Sequence, residues 1–319
     1  MRWRGCASER LTSASVPAMW QPEPEWLPLT GGSAVSTYGV WRTVIAGRPL
    51  VVKRLSAPGP EDPPELSDPR HFAWWRREAE VAATGLVEAT VGLRGPVAAV
   101  TEDEEGITLT QDWVEDGANS GLFAAISMGR FAGIEVPEVR WLARDQLRSR
   151  LERIERRGGW PTLGRTTVSD IADALWSKRE RLLALLDGVP QVLQHGDPTL
   201  ANLTGREGDD VVAVDWGTLG VGPIGADLGY YALGAREGFE PLLDAYLVGV
   251  PQRLQHRAEI ALAAQVTMVY TAFTRAEWAL ARVAGGEGAL AGKFRHPAVA
   301  PHLRALQRQH GAVEAVLAC

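Results

Sequence analysis

Apolar and polar residues alternate over the first hundred positions and recur at three- and four-residue spacing over most of the rest. Strands therefore come first and helices follow, the α+β order of elements. Trp26 to Thr30, Thr37 to Ile45 and Pro49 to Leu55 read as three short strands, the last two joined by a tight turn at Ala46-Gly47-Arg48. Ser56 to Pro69 holds five prolines and four acids and reads as a loop, with a helix expected from His71 to Gly85. Val97 to Thr101 and Gly106 to Asp112 form a second hairpin whose acidic turn, Glu102 to Glu105, is expected to be a solvated tip. Asp116-Gly117-Ala118-Asn119 then marks a change of character. Helical periodicity follows at Val139 to Arg157, Ser169 to Leu186, Ala226 to Gly234, Glu240 to Leu247, Arg257 to Ala284 and Ala298 to Val316. The expected β interruption lies at Leu203 to Trp216. The pattern divides the chain into an N-terminal extension (1–20) for which disorder is an expectation, a strand-rich lobe (21–114) and a helical lobe (115–319).

Charge adds exclusions. The 319 residues carry 33 Lys plus Arg against 39 Asp plus Glu, net −6, with no basic stripe of the kind a nucleic-acid surface needs. The two cysteines, Cys6 and Cys319, sit at opposite ends and build no disulfide framework or metal cage, which fits a reducing cytoplasm. The apolar run Ile260 to Tyr270 is too short for a bilayer and reads as a buried helix, so no membrane partner is expected. Of the 33 basic residues only Lys53, Lys178 and Lys293 are lysine, so a lysine with a task is easy to locate.

The chemistry concentrates in Gln194-His195-Gly196-Asp197-Pro198-Thr199-Leu200-Ala201-Asn202-Leu203, followed by Val211 to Val214 and Asp215-Trp216-Gly217. Gly205 to Asp210 should close a hairpin. If Thr204 faces Val211, then Asn202 faces Ala213 and Asp215 is a same-face diagonal neighbour of Asn202, about 7 to 8 Å away between backbones. A carboxylate and an amide oxygen converging in this way suit Mg²⁺, which takes few protein oxygens together with waters and phosphates. Asp197, on the loop entering the hairpin, would accept or orient the proton of a hydroxyl beside that ion. His195 is expected to hold this loop, and Asp227, at the start of a helix, to cap or brace.

H-x-D-x-x-x-x-N followed by D-x-G is the kinase arrangement, here with Gly196 in place of Arg and Trp216 in place of Phe. From Trp26 to the C-terminal helices the chain resembles the aminoglycoside phosphotransferase family of small-molecule kinases. The resemblance implies a protein-kinase-like two-lobe fold, a small antiparallel sheet above a larger helical lobe, binding ATP and Mg²⁺ and phosphorylating a small-molecule hydroxyl. It implies Asp197 as catalytic residue, Asn202 and Asp215 as metal ligands, Lys53 on the ATP phosphates with a helix glutamate, and a phosphate-covering turn at Thr30-Gly31-Gly32-Ser33 with Ala34 to Thr37. Lys53 lies in the apolar strand Val51 to Leu55, where an unpartnered ammonium is costly. Glu78 shares a helix face with Trp74, Trp75, Val81 and Ala82 and so points inward, whereas Glu80 lies with Arg76 and Arg77. Gln111 to Val114 is where an adenine edge would meet the backbone.

Eleven residues separate Asp215 from Asp227 and A-P-E is missing, so no peptide-docking activation segment is expected and a small acceptor is favoured. Glu115, Asp116 and the acidic middle region suit a cationic acceptor such as an aminoglycoside; sugars and amino alcohols are the other classes. The alternative is a catalytically silent, kinase-like nucleotide-binding module. Gly220-Val221-Gly222-Pro223-Ile224-Gly225 matches G-x-G-x-x-G, but helix rather than strand follows it, the wrong context for a dinucleotide fingerprint. Lys178 and Lys293 are expected to be surface residues.

Overall fold

The structure, a computed structural model, describes residues 20–29, 36–160, 167–284 and 295–318. Gly31, Gly32, Ser33, Lys293 and both cysteines lie outside these residues. A five-stranded antiparallel sheet forms first, in the order β1-β2-β3-β6-β5. Its strands are β1 (Leu27–Pro28), β2 (Thr37–Ile45), β3 (Arg48–Ser56), β5 (Ala98–Asp103) and β6 (Gly106–Asp112). Ala46 (φ 50°) and Gly47 (φ 79°) make the two-residue, left-handed turn that matches strand twist, and Ile45 pairs with Arg48 across it. Strand alternation gives the sheet two faces. Lys53, Leu55, Ile107 and Leu109 face helix α1 (Arg77–Thr84), where Leu55, Ile107 and Leu109 bury against Ala79. Arg54 takes the opposite face, buried beneath Trp20 and paired with Asp103 at 2.6 and 2.9 Å. The acidic tip is thus largely engaged: Asp103 holds Arg54, and Glu102 holds Arg76 through bonds of 2.6 and 2.8 Å. Glu102 to Glu105 are all exposed, as expected of a solvated tip, and the two strands run on to Asp103 because these arginines neutralise its charges.

α1 begins at Arg77 rather than near His71. The Arg77 guanidinium, fully buried, takes the carbonyls of Pro69, His71 and Phe72, and this holds the segment in turns instead of helix. Beyond the sheet lie α2 (Gly121–Ala132), α3 (Gln146–Arg156), α4 (Thr167–Asp187), α5 (Ala226–Ala232), α6 (Phe239–Gly249) and α7 (Arg257–Ala284), which share one large core. α2 escaped the periodicity reading because it is buried nearly all round and shows no polar stripe. Its glycines have a packing reason: a Cβ on Gly129 would sit 2.2 Å from Tyr246 O, and one on Gly249 2.0 Å from Ile126 O, so α2 and α6 touch backbone to backbone. α3 starts seven residues later than expected, because Ala143 is drawn into a bridge with Gly220. The last predicted helix is two, α8 (Ala300–Arg308) and α9 (His310–Ala318). Lys178 is not a plain surface residue: its Nζ donates to Leu317 O at 3.1 Å, a cation on the C-terminal carbonyls of α9.

Five further short strands accompany the helices, where sequence reading placed one β interruption. β7 (Gln191–Gln194) pairs antiparallel with β10 (Gly220–Pro223), and β4 (Leu93–Arg94) pairs parallel with β9 (Asp210–Val212), which in turn pairs with β8 (Gly205–Glu207). The glycine motif is therefore the strand β10 running into α5, not a loop. The β8/β9 hairpin is tighter than the expected Gly205 to Asp210 turn. Glu207 faces Asp210 across Gly208-Asp209, and Arg206, not Thr204, faces Val211. Gly208 at φ 59° permits the two-residue turn, and the register moves by two, which preserves which face each side chain occupies.

Candidate active site

The β8/β9 hairpin brings the loop before it and the loop after it side by side. Val214 N–H donates to Asn202 O at 2.9 Å, which places Asn202 across from the Val214-Asp215 segment, nearer than the diagonal expected from the earlier register. Asp215 adopts a left-handed backbone (φ 63°, ψ 56°), a conformation that aspartate tolerates better than most residues. That turn lifts its carboxylate off the hairpin, and Trp216 drops into the core with its Nε1 on Ala213 O.

Lys53 Nζ lies 2.5 Å from Glu78 Oε2 and 2.7 Å from Asp215 Oδ1, so the lysine bridges the sheet, α1 and the D-x-G loop. Glu80 instead reaches Arg76 at 3.5 Å. Burial draws the Lys53 ammonium down, but Glu78 and Asp215 more than offset it and its pKa rises above the usual lysine range. Asp215 shifts the other way from its lysine neighbour: the Lys53 ammonium, against the opposing effect of burial, holds the Asp215 carboxyl below the ordinary range. Glu78 is pushed up by burial despite the same ammonium. Asp215 is 42 % exposed where Lys53 and Glu78 are each 11 % exposed, so its free oxygen faces open space.

The loop carrying Asp197 is braced from below. Asp227 Oδ2 and Oδ1 accept the N–H groups of His195 and Gly196 at 2.8 and 3.0 Å. His195, fully buried, bonds through Nε2 to Val214 O at 3.0 Å, and its Nδ1 accepts Asp197 N–H at 3.3 Å, the tautomer with hydrogen on Nε2. Trp216 lies 4.6 Å from it, ring to ring. Gly196 has φ 82°, and a Cβ there would meet Thr218 O at 2.5 Å, which explains glycine in this loop. Asn202 Nδ2 donates to Asp197 O at 2.8 Å and to Asp197 Oδ2 at 3.3 Å. Tyr230 OH donates to Asp197 Oδ1.

Lys53, Glu78, Asp197 and Asp215 line one cleft of about 420 Å³. Ser36 and Thr37, the first described residues after Gly31 to Ser33, form its rim, and Thr37 Oγ1 is buried without a hydrogen-bond partner. Glu115 and Asp116 do not line it: they are exposed on the connector after β6, where Asp116 accepts Ala118 N–H. In the Gln111 to Val114 stretch, Asp112 N–H and Trp113 N–H already serve Val97 O and Pro49 O.

Sequence reasoning missed two residues of this region. Tyr230 lies three positions after Asp227 on α5, so an i, i+3 reading from the brace would have found it. Arg77 was placed only on the face of Glu80, yet it donates to the carbonyls of Pro69, His71, Phe72, Trp141 and Gly217 at 2.8 to 3.1 Å. It thereby ties α1, which carries Glu78, to the D-x-G loop. Burial pushes its guanidinium down to about 10.

Comparison with known proteins places these features. The model of the phosphotransferase enzyme family, APH, matches residues 25–262. No curated protein matches the chain. A choline/ethanolamine kinase family protein from Mesorhizobium loti is 18 % identical, covers 92 % of this chain and 96 % of its own, and superposes with TM-score 0.55. For choline kinase LicA from Streptococcus pneumoniae the values are 12 %, 89 %, 92 % and 0.55. For amicoumacin kinase hAmiN, in complex with AMP-PNP, Ca²⁺ and Ami, they are 12 %, 91 %, 90 % and 0.56. These likenesses show the fold, a protein-kinase-like α+β architecture. Among the described residues no helix is long and apolar enough to cross a membrane.

Proposed function

The chain belongs to the APH phosphotransferase enzyme family, and from the site it builds we propose that it moves the γ-phosphoryl group of ATP to a hydroxyl of a small molecule. The observation that carries this reading is the meeting of Lys53, Glu78 and Asp215 in one cleft with Asp197. The strand-rich residues 21–114 would hold the nucleotide and residues 115–319 the catalytic loop and acceptor, in a cytoplasmic enzyme.

The residues fit a magnesium nucleotide. Among the described residues no hydrogen bond uses Asn202 Oδ1 or the second oxygen of Asp215, and no protein-only metal cage of three or more His, Cys, Asp or Glu is present. Two free oxygens beside phosphate suit Mg²⁺, which keeps several waters. Bound there by Asn202 and Asp215, it would neutralise charge on the phosphates. Lys53 would pair with the nucleotide phosphates, oriented by Glu78 as in the kinase template. The turn at Gly31, Gly32 and Ser33 would offer backbone N–H groups to phosphate, and Thr37 Oγ1 supplies an unspent hydroxyl at the rim. Asp197 would accept the hydrogen of the acceptor hydroxyl and aim its oxygen in line with the transferring phosphorus. Tyr230 and Asn202 hold that carboxylate in place, and Asp227 holds the loop.

The test is ADP release by the purified protein with ATP and Mg²⁺ across aminoglycosides, other antibiotics, sugars, amino alcohols and hydroxy acids, with Asp197→Ala alongside. Acceptor-dependent release that Asp197→Ala reduces at least about a hundredfold is expected. Full activity in Asp197→Ala would remove Asp197 from the chemistry. Tight ATP binding with no turnover on any acceptor would favour the silent nucleotide-binding module.

A further inference from the structure

Beyond Asp197 the cleft continues into a half built by α3, α7 and the turn at Phe72. Arg150, Arg153 and Arg157 line it from α3 and its C-terminal end, and Arg275 lines it from α7. Against these four guanidinium groups stands one carboxylate in this half among the described residues, Glu277, already 3.6 Å from Arg157. None of Arg150, Arg153 and Arg275 makes an ion pair with a described carboxylate. Apart from one long bond of 3.5 Å from Arg150 Nη2 to Gly196 O, their described partners are rings: Arg150 and Arg153 lie 4.9 and 5.0 Å from the Phe72 centroid, and Arg275 lies 4.4 Å from that of Tyr230. Guanidinium groups held against rings keep most of their N–H donors available to a planar, bidentate anion.

This concentration of like charge in a partly closed space is unfavourable until an anion enters. Burial, opposed by Glu65 and reinforced by Arg157, Arg150 and Arg156, already pulls the Arg153 guanidinium below its usual range. The placement identifies which substrate the cluster serves. Lys53 and Asp215 stand on the nucleotide side, whereas Arg150 and Arg275 flank Tyr230, whose hydroxyl donates to Asp197. Two of the arginines therefore stand beside the tyrosine that holds the carboxylate that would receive the acceptor's proton. A polycationic acceptor would meet repulsion here.

Resting on the phosphotransfer reading above, we infer that the hydroxyl acceptor is itself an anion, an alcohol bearing a carboxylate or a phosphate ester, gripped by Arg150, Arg153 and Arg275 with its carbon skeleton against Phe72 and Trp278. The reaction then joins a phosphoryl group to the acceptor oxygen as the bond between the β–γ bridging oxygen and the γ-phosphorus breaks, leaving ADP, while the hydroxyl proton passes to Asp197.

The experiment compares matched acceptors on the full chain at fixed ionic strength: D-gluconate, D-glucose and D-glucosamine; D-glycerate, glycerol and ethanolamine; and glucose 6-phosphate and glycerol 3-phosphate as the phosphate arms. ADP release is measured for the wild type, Arg153→Gln, Arg275→Gln and the exposed control Arg304→Gln. The inference expects kcat/KM at least about tenfold higher for an acid than for its neutral and cationic counterparts. Arg153→Gln or Arg275→Gln should raise the acid's KM about tenfold or more, as loss of a charge-assisted hydrogen bond does, with KM for ATP within twofold and Arg304→Gln unchanged. Preference for the carboxylate or the phosphate arm names the source of the anion. Equal or better turnover of neutral or cationic partners, insensitive to these arginines, overturns the inference and leaves phosphotransfer standing. If no acceptor turns over, the same anions are titrated by thermal shift. Stabilisation lost in Arg153→Gln and Arg275→Gln supports the anion site and counts against the phosphotransfer reading alone, whereas no arginine-dependent binding of any anion overturns the inference.

Discussion

Replacing Arg77 by Met keeps most of its aliphatic length and removes five hydrogen bonds at once. The carbonyls of Pro69, Phe72, Trp141 and Gly217 would lose the donor that Arg77 gives them, whereas His71 O keeps the N–H of Trp74. Each buried polar group left without a partner costs about 1 to 3 kcal/mol, so four at the lower bound come to about 4 kcal/mol. Relief from burying a charge that has no carboxylate partner acts in the opposite direction and holds the net loss to about 3 to 5 kcal/mol. At roughly 2 °C per kcal/mol for a chain of this size, Tm should fall by about 6 to 10 °C. Differential scanning calorimetry measures this directly, and Arg77→Lys, with three donors on a different geometry, should fall between. The same variant loosens α1 from Gly217, so Lys53, Glu78 and Asp215 lose their common frame and KM for ATP should rise. A Tm within 2 °C of wild type would show that the buried guanidinium is replaceable and that the five bonds do not anchor α1.

Lys53→Arg keeps the charge but replaces a compact ammonium that fits between Glu78 and Asp215 with a wide planar fork; kcat/KM for ATP should drop at least about thirtyfold, a loss near 2 kcal/mol. Lys178→Arg should leave kinetics within twofold, whereas Lys178→Ala should lower Tm by a degree or two through the lost cap on α9. Tyr230→Phe removes the donor to Asp197 Oδ1, so kcat should fall about tenfold with KM for ATP unchanged, measured by steady-state ADP release. His71 is held below the usual histidine range by burial and by Arg153, and its Nδ1 accepts Ala73 N–H. A group whose folded pKa is depressed gives stability that is present above the unfolded value near 6.5 and is lost as pH falls through the folded one. The unfolding midpoint should therefore decline from pH 7.5 to pH 5.5, and His71→Asn, which can still accept the Ala73 N–H, should flatten that decline; an equal slope in the variant would refute the assignment.

The chain by itself determined whatever rests on local pattern. Strand alternation located β2, β3, β5 and β6, helical spacing located α7 to the residue, and the same spacing turned Glu78 rather than Glu80 toward Lys53, because neighbours on one helix or strand are set by geometry within a few residues. The scarcity of lysine pointed to Lys53, and the H-x-D-x-x-x-x-N and D-x-G spacing pointed to Asp197, Asn202 and Asp215. Tertiary structure decided what depends on partners distant in sequence. Arg54 and Arg76 turned an acidic tip into paired strand ends, and Arg77 unwound the turn before α1 by taking its carbonyls. Short strands such as β7 and β10 exist only because each finds the other, with too few residues for alternation to register. The character of the cleft belongs to the same class. Acids counted along the middle of the chain suggested a cationic acceptor, but folding leaves Glu115 and Asp116 on an exposed connector and lines the cleft with Arg150, Arg153 and Arg157 at the end of α3 and Arg275 of α7. Net charge is a sum over positions, whereas a binding site feels only the charges that face it, and which side chains face it is fixed by packing.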